Sequence, residues 1–511
     1  MNNNMSGLCS QQDASEQSDM EMLIQMGDFE RALELCNQSL QIHPDHALAT
    51  HLKDSALRSY DQACHLLQIA VEACPAQAHI EDALRQSKAA YVGREYNISE
   101  ILLGVQPPPE IEEFIGDVEI NKINKIRGRG LFATKDISVG ELLLVSNAAV
   151  IVNRVLKPLK IHIQSHEIKG SLQEDLVHAV LDAAKKSRKL SQQLYELDDG
   201  SLQVRSSLPA IDLFHTNCQE RTVVLVEFME QGIRDIVSRN SFGVEYRKFM
   251  EERPEDAEML GFSGLWLLPS FINHSCLPNA TRLHVGKTMF LHAAKPIKKR
   301  EEITISYFDA LLPQSRREKI CGSWGFECKC RRCGLEKSLS TALESLNAQF
   351  ESLRHDALQE TNATMSAGQD FPRELPKCAE FVQVFEKMEQ VLAKYPRMKE
   401  EEKSWVRASY VTAYWAGMQS YNISSVDPIV SRDEILNAVV TTVPGEVRTL
   451  AMVDQMFEEL KQQIGNEGSA VEKFLAQATD VCVRVFGTHN EQFIGALISR
   501  RVQSVQSCSD V

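Results

Sequence analysis

Three cysteines within six residues constrain this chain more than any other feature of its sequence. They are Cys328, Cys330 and Cys333, in the segment CKCRRC. Three thiols so close together cannot all be buried in one apolar core, but they can bind a single metal ion. A structural zinc ion takes four tetrahedral ligands, so the pattern predicts zinc with one further ligand from elsewhere in the chain. The alternative is that they are three unrelated surface thiols.

Composition indicates the cellular compartment of the protein and argues against some classes of protein. The 13 cysteines form no evident disulfide framework, and residues 1–19 are polar and lack the apolar core of a signal peptide. We therefore expect a disordered lead at 1–19 and a reducing compartment, the cytoplasm and/or the nucleus. No apolar run reaches the ~20 residues of a membrane span. The net charge of −15 argues against direct nucleic-acid binding and fits a lysine-rich protein partner.

The N-terminal third divides at a proline-rich linker. Residues 20–105 have apolar side chains at helical spacing, among them Phe29, Leu33 and Leu40. One segment resembles the second helix of a tetratricopeptide unit, and both a short tetratricopeptide-like array and a plain helical bundle remain open. Residues 106–109 are QPPP, which favours an extended backbone and predicts a domain boundary.

Past the linker the pattern alternates between strand and helix. Short β-type runs precede a charged helical insertion at about 160–235, and similar runs return from Leu265 to Tyr307. Within the insertion, residues 183–189 are AAKKSRK, which fits a solvated helix face better than a nuclear signal. Residues 336–511 are expected to be helical, with apolar stripes that begin at Leu343, Phe381 and Leu450 and form the core faces of packed helices.

Three further motifs accompany the cysteines. Residues 273–279 are NHSCLPN, and residues 303–309, ITISYFD, form a predicted strand that ends in a tyrosine. Residues 127–133 are RGRGLFA, in which two glycines permit close approach of a ligand to the backbone. This segment lacks the Rossmann glycine spacing, so a dinucleotide site is not predicted.

In this order the four motifs resemble the SET-domain protein-lysine methyltransferases over residues 117–335. Their order, the insertion and the C-terminal helices are most similar to the SMYD branch. The resemblance implies an α+β fold: a SET domain at 117–320 with a knot-like cofactor site, and a post-SET zinc tail at 321–335. The helical, tetratricopeptide-like regions flank this unit on both sides.

The resemblance also implies roles for individual residues. Tyr307 is the catalytic residue, lying beside the methyl group that is transferred from S-adenosylmethionine to a lysine. The walls of the lysine channel are Phe242, Phe271 and Ile305. Because Ile305 stands where the family often has an aromatic residue, we expect room for more than one methyl group.

Two further residue sets follow from the same resemblance. In the SMYD branch the cysteine after Asn-His-Ser completes the zinc site, so the predicted ligands are Cys276, Cys328, Cys330 and Cys333. The predicted S-adenosylmethionine-binding residues are Arg127, Gly128, Arg129, Gly130, Asn240, Asn273, His274 and Phe326, the last by stacking on the adenine ring.

The sequence departs from that branch in three places. No MYND finger cysteines accompany the insertion, where Cys218 stands alone, so no role of that finger is transferred. Arg300 occupies a turn in which the family usually has glycine. The N-terminal helical region is an addition, and with the C-terminal helices it offers surfaces for protein partners.

The predicted function is therefore methylation of lysine side chains on a protein substrate, histone or non-histone. The first alternative is a non-catalytic SET scaffold for protein–protein interaction. The presence of Tyr307, Asn273 and His274 argues against it, since a dead site has no reason to keep them. A second alternative, a zinc-dependent nucleic-acid binder, fits poorly with the net charge of −15.

Overall fold

The computed structural model describes residues 113–124, 128–156, 161–200, 208–214, 229–246, 259–366, 377–411, 413–414, 430–445, 449 and 468–487. The predicted disordered lead, the N-terminal tetratricopeptide-like region and Arg127 lie outside them. The chain divides into two units, Met1–Ile101 with Pro109–Gly116, and Leu102–Pro108 with Asp117–Val511. Apart from residues 113–116, everything described below belongs to the second unit.

The β structure is made of short strands, mostly four to seven residues long. They are β1 (Phe114–Ile115), β2 (Val118–Asn124), β3 (Gly128–Ala133), β4 (Leu142–Asn147), β5 (Val150–Leu156), β6 (Ser241–Tyr246), β7 (Met259–Leu265), β8 (Asn273–His274), β9 (Ala280–Val285), β10 (Thr288–Ala293) and β11 (Glu302–Ile305).

The strands form three groups, and within each group neighbouring strands are hydrogen-bonded. Their orders are β4-β10-β9, β2-β3-β11-β8 and β5-β7-β6. The pairings are antiparallel except that β8 runs parallel to β11. All six residues of β10 are buried. A strand buried on both faces needs cover on both sides, and here a C-terminal helix supplies part of it.

The insertion between β5 and β6 is helical, as its sequence predicts. It contains α1 (Ile161–Lys186), α2 (Arg188–Tyr195) and α3 (Glu230–Asn240). Ser187 separates α1 from α2 because its hydroxyl accepts the N–H of Leu190, an N-cap that starts a new helix. The basic run at 183–189 thus crosses a helix boundary, with the Lys185 side chain 65% exposed.

Seven helices follow the last strand within the described residues. They are α4 (Gln314–Ser323), α5 (Arg331–Ser338), α6 (Ser340–Ser366), α7 (Cys378–Ala393), α8 (Glu400–Ser409), α9 (Arg432–Thr442) and α10 (Gly468–Phe486). The predicted stripes that begin at Leu343 and Phe381 are buried in one apolar core. The stripe from Leu450 to Leu460 lies outside the described residues.

The C-terminal helices pack on the β structure, as their apolar faces require. The guanidinium of Arg484 in α10 donates to the carbonyl of Ala294 at 2.8 Å. Gly487 has a left-handed φ of 69° and lies so close to His292 that a Cβ there would clash with the ring. The predicted α+β architecture, β-sheets with C-terminal helices, is therefore confirmed. None of the described helices is long and apolar enough to cross a membrane.

Candidate active site and metal centre

At the centre of the site, residues 273–279 and residues 302–307 are hydrogen-bonded to each other, and they are called the joined segments below. Asn273 and His274 pair in parallel with Thr304 and Ile305. Beyond them, the N–H of Ser275 donates to the Ile305 carbonyl at 3.0 Å. A six-residue excursion such as residues 274–279 returns to the same strand only if its ends are fixed. The motif NHSCLPN thus supplies the residues that close this loop on β11.

Asn279 fixes the far end of that loop. Its side-chain oxygen accepts the N–H of Thr304 at 2.8 Å, and its amide donates to the Glu302 carbonyl at 2.9 Å. The side chain is buried. One asparagine therefore replaces a strand neighbour for β11, satisfying both a backbone donor and a backbone acceptor. The sequence motif contained Asn279, but no role was predicted for it.

Tyr307 follows the end of β11 and points back into the joined segments. Its hydroxyl donates to the carbonyl of Ile272 at 2.6 Å. Burial raises the pKa of this phenol well above its usual value, although the nearby charge of Arg282 acts in the opposite direction. The hydroxyl is therefore uncharged at neutral pH. With its proton engaged by Ile272, its lone pairs are the part of the group that can receive a donor.

An aromatic cluster surrounds Tyr307. The rings of His274, Trp324 and Phe326 have centroids 5.3, 5.7 and 6.3 Å from that of Tyr307, and Phe308 stacks on His274 at 4.6 Å. Phe326 was predicted to belong to the site, whereas Trp324 was missed. Trp324 is 47% exposed in the structure, and the signal in the sequence was only a tryptophan between the predicted strand and the cysteines.

The glycine-rich segment lies against Asn273. A Cβ on Gly130 would stand 2.9 Å from the Asn273 amide nitrogen and 2.9 Å from a Glu302 carboxylate oxygen, so only glycine fits. The Asn273 amide donates to the Arg129 carbonyl and to Glu302, both at 2.9 Å. Gly128 has a φ of 83°, which also favours glycine, and a Cβ there would meet nothing within 4 Å. The backbone at Gly128 is thus open to a ligand.

Arg129 and Asn240 both form contacts with the helical insertion. The Arg129 guanidinium pairs with Glu196 at 3.2 Å, after the end of α2. Asn240 is the last residue of α3, and its amide donates to the carbonyls of Asp198 and Ile236 at 2.7 Å each. Arg129 thus holds the insertion against the glycine-rich segment, whereas the Asn240 side chain joins two parts of the insertion to each other.

The three predicted channel residues have different surroundings. Ile305 is buried in β11, two residues before Tyr307. Phe242 is buried against Trp266, with ring centroids 6.0 Å apart. Phe271 packs edge-on to Phe214 at 5.2 Å.

The predicted metal ligands form one cluster. The sulfur atoms of Cys276, Cys328 and Cys333 lie within 4.8 Å of one another. The sulfur of Cys330 accepts the N–H of Cys333 at 3.5 Å at the start of α5. Hydrogen bonds with the other thiols, first that of Cys276, lower the pKa of Cys330, whereas the pKa of Cys328 is raised.

His274 lies beside this cluster, and its ring nitrogen is close enough to the Cys276 sulfur to belong to a second group that could hold a metal ion. Its Nδ1 accepts the N–H of Tyr307 at 3.1 Å, so the ring proton is on Nε2. That nitrogen lies 3.2 Å from the Cys276 sulfur and donates to it. His274 therefore connects the end of β11 to the cysteine cluster. The sulfur of a fifth thiol, Cys321, lies within 4.8 Å of a His274 ring nitrogen and of the Cys276 sulfur, and this residue was not predicted.

The donor set fits a structural zinc ion. Tetrahedral zinc with Zn–S distances near 2.3 Å places its sulfur ligands about 3.8 Å apart, which is compatible with the cluster. Arg317, a fully buried residue that the sequence analysis missed, donates to the Cys333 sulfur at 3.2 Å. Of the basic residues between the cysteines, Lys329 pairs with Glu327, and Arg332 donates to the carbonyl of Cys276 at 3.0 Å.

Comparison with known proteins agrees with this geometry. The family model for the SET domain matches residues 128–308. A methyltransferase of Gibberella zeae is 25% identical over 63% of this chain and 42% of its own length. A potential protein lysine methyltransferase, SET6 of Saccharomyces cerevisiae, is 36% identical over 19% of this chain and 28% of its own.

The chain is also similar to a third curated protein and to one solved structure. A SET and MYND domain-containing protein of Dictyostelium discoideum is 36% identical over 20% of this chain and 30% of its own length. The solved SET domain of LSMT, bound to lysine and AdoHcy, covers 76% of this chain and 89% of that one, at 14% identity and a TM-score of 0.21. That score is too low to support any argument.

The chain spans less than half the length of these three curated relatives. The match to the family model contains the glycine-rich segment, the joined segments and Tyr307, and it ends just before the cysteine tail. Residues 128–308 of this chain are therefore similar to the SET domain.

Proposed function

We propose that this chain is a protein-lysine methyltransferase of the SMYD type that uses S-adenosylmethionine and holds a structural zinc ion. One observation supports it above the others: the Tyr307 hydroxyl is fixed on the Ile272 carbonyl at 2.6 Å, where the two joined segments meet. Around it are the aromatic cluster and the predicted zinc ligands. A scaffold without activity has no need for a phenol positioned in this way.

The arrangement suits methyl transfer to an amine. The cofactor supplies an electrophilic methyl group, and the substrate lysine must attack as a neutral amine in line with the leaving sulfur. Because the Tyr307 proton is engaged by Ile272, the phenolic oxygen accepts an N–H from the amine and fixes the direction of its lone pair. The surrounding rings exclude water and disfavour the ammonium form.

In this proposal the open backbone at Gly128 and the ring of Phe326 would hold the cofactor. Gly128 leaves the space, and Phe326 provides an apolar face for the adenine. Zinc on Cys276, Cys328, Cys330 and Cys333 has a structural role only, because four protein ligands leave no position for a substrate.

The test uses the purified chain with radiolabelled S-adenosylmethionine and a cell extract. We expect a labelled protein band with the wild type, and with Tyr307→Phe a loss on the order of 10²-fold or more, because only the positioning hydroxyl is removed. Cofactor affinity, measured by calorimetric titration, is expected to stay nearly unchanged. Equal labelling by the two proteins would contradict the assignment of Tyr307, and cofactor binding without any labelling would favour the scaffold.

A further inference from the structure

A basic side chain that no motif predicted lies beside the catalytic tyrosine. Arg282 is in the middle of β9, which is the last strand of its group. Its Nη1 donates to the carbonyl of Ser306 at 3.0 Å, and its guanidinium carbon lies 5.3 Å from the centre of the Phe242 ring. These contacts place the charge between the end of β11 and the start of β6.

The charge of Arg282 is not compensated within the described residues. No carboxylate of that part of the chain forms an ion pair with it, and the Ser306 carbonyl is its hydrogen-bond acceptor there. Burial lowers the pKa of the guanidinium to about 10, the direction expected when desolvation is not offset by an anion. A guanidinium has five N–H donors, so most of its hydrogen-bonding capacity is open to a ligand.

Its neighbours connect Arg282 to the substrate side of the site. Ser306 immediately precedes Tyr307, and Phe242 is one of the predicted walls of the lysine channel. The face of the guanidinium is occupied by the Phe242 ring, while its Nη1 edge is fixed on the Ser306 carbonyl. The group is therefore held in a defined orientation, which is what planar recognition of a carboxylate requires.

We propose that Arg282 binds an acidic side chain of the protein substrate, located within a few residues of the lysine that is methylated. This inference rests on the proposed function and adds the class of substrate sequence that the site accepts. A carboxylate satisfies the open N–H donors in pairs and removes the cost of a desolvated charge. A basic residue at the same position of the substrate is repelled, so Arg282 favours substrates with an acidic residue there and disfavours those with a basic one.

The experiment uses lysine-centred peptide libraries in which one flanking position at a time is fixed as Asp, Glu, Ala or Lys. Labelling by radiolabelled S-adenosylmethionine is compared for the wild type, Arg282→Met and Arg282→Glu. For the wild type we expect labelling about tenfold above the alanine library at one flanking position with Asp or Glu, and below it with Lys. Arg282→Met is expected to lose this preference, and Arg282→Glu to reverse it.

Reversal separates recognition from a structural role, because loss of folding lowers labelling of all libraries alike. Calorimetric titration with S-adenosylmethionine verifies that each variant is folded, and Lys394→Glu, an exposed charge reversal in the C-terminal helices, is the matched control that must keep the wild-type preference. The proposal is overturned if the wild type and both Arg282 variants show the same preference, or if the wild type shows none. A wild type that binds cofactor but labels neither libraries nor extract proteins would instead refute the proposed function, and this inference with it.

Discussion

At the scale of single residues, Arg300 shows a conflict between side chain and backbone. It lies in the turn before β11 with a φ of 66°, in the left-handed region that favours glycine. Its N–H donates to the carbonyl of Ala133 at 2.8 Å, which holds the turn in place. A side chain in this region costs about 1–2 kcal/mol, and glycine loses about 0.5–1 kcal/mol more entropy on folding.

We therefore predict that Arg300→Gly raises the free energy of unfolding by up to about 1 kcal/mol, the difference between those two effects. Thermal or urea unfolding measures it. Arg300→Ala is the control, because it removes the same side chain and leaves the strained backbone. If both substitutions raise stability equally, the cause lies in the side chain and not in the backbone angle.

A second residue, the buried His284, makes the free energy of unfolding depend on pH. It is buried between Phe262 and Trp266, and within the described residues its Nε2 has no hydrogen-bond partner. Burial, assisted by the charge of Arg282, lowers its pKa to about 3. Between that value and the unfolded pKa near 6.5, the unfolded state binds more protons, so stability is lost as the pH falls.

His284→Leu replaces the ring with an apolar side chain of similar size. We expect the variant to lose less stability than the wild type between pH 7 and pH 5, by on the order of 2 kcal/mol at most. Urea unfolding at the two pH values measures the difference. His292, whose pKa burial lowers to about 4, remains in the variant and keeps part of the dependence. An unchanged pH slope would mean that His284 is not buried as a neutral ring.

At the scale of elements, the metal centre and the joined segments form one unit. The Cys276 sulfur accepts from His274, and the Cys276 carbonyl accepts from Arg332 in α5 at 3.0 Å. His274 in turn accepts the N–H of Tyr307. A zinc ion at Cys276 would therefore fix the loop that is paired with β11, because structural zinc contributes folding free energy directly.

We predict that Cys276→Ser lowers bound zinc and abolishes measurable S-adenosylmethionine binding, although the predicted cofactor residues include no cysteine. Metal analysis and calorimetric titration on the same purified sample test this. Cys482→Ser, a buried cysteine of α10, is the control and is expected to keep both zinc and cofactor. Normal cofactor affinity in zinc-free protein would show that the two sites are independent.

The elements also show how far the sequence predicts this structure. The family resemblance was sufficient for the α+β architecture, and apolar periodicity was sufficient for the helical insertion and the buried stripes of α6 and α7. The cysteine spacing predicted three metal ligands, and only the family resemblance added Cys276. Arg282, Arg317 and Cys321 were not predicted, because their roles depend on which segments meet in space. Nothing in the local sequence around Arg317 indicates that it faces a sulfur 16 positions later.

At the scale of the whole molecule, a buried ionic network joins the SET-like region, the cysteine tail and the C-terminal helices. Glu336 in α5 pairs with both Arg317 and Arg332, and all three side chains are buried. Arg332 also donates to the carbonyl of Ala310 at 2.7 Å and to the hydroxyl of Ser409, at the end of α8, at 2.6 Å. Because Arg317 donates to the Cys333 sulfur, the network also reaches the metal centre.

We predict that Glu336→Gln lowers the free energy of unfolding by about 3–5 kcal/mol, because it leaves two buried guanidiniums without a carboxylate. It should also weaken zinc binding, since Arg317 is no longer held against Cys333. Glu389→Gln is the matched control: it breaks the Glu389–Arg407 pair within the C-terminal helices, where the side chains are 15% and 10% exposed. That variant is expected to lose stability and keep its zinc affinity. Thermal unfolding and competitive zinc chelation on the three proteins measure both effects, and equal zinc affinity in all three would show that the network supports the fold without reaching the metal.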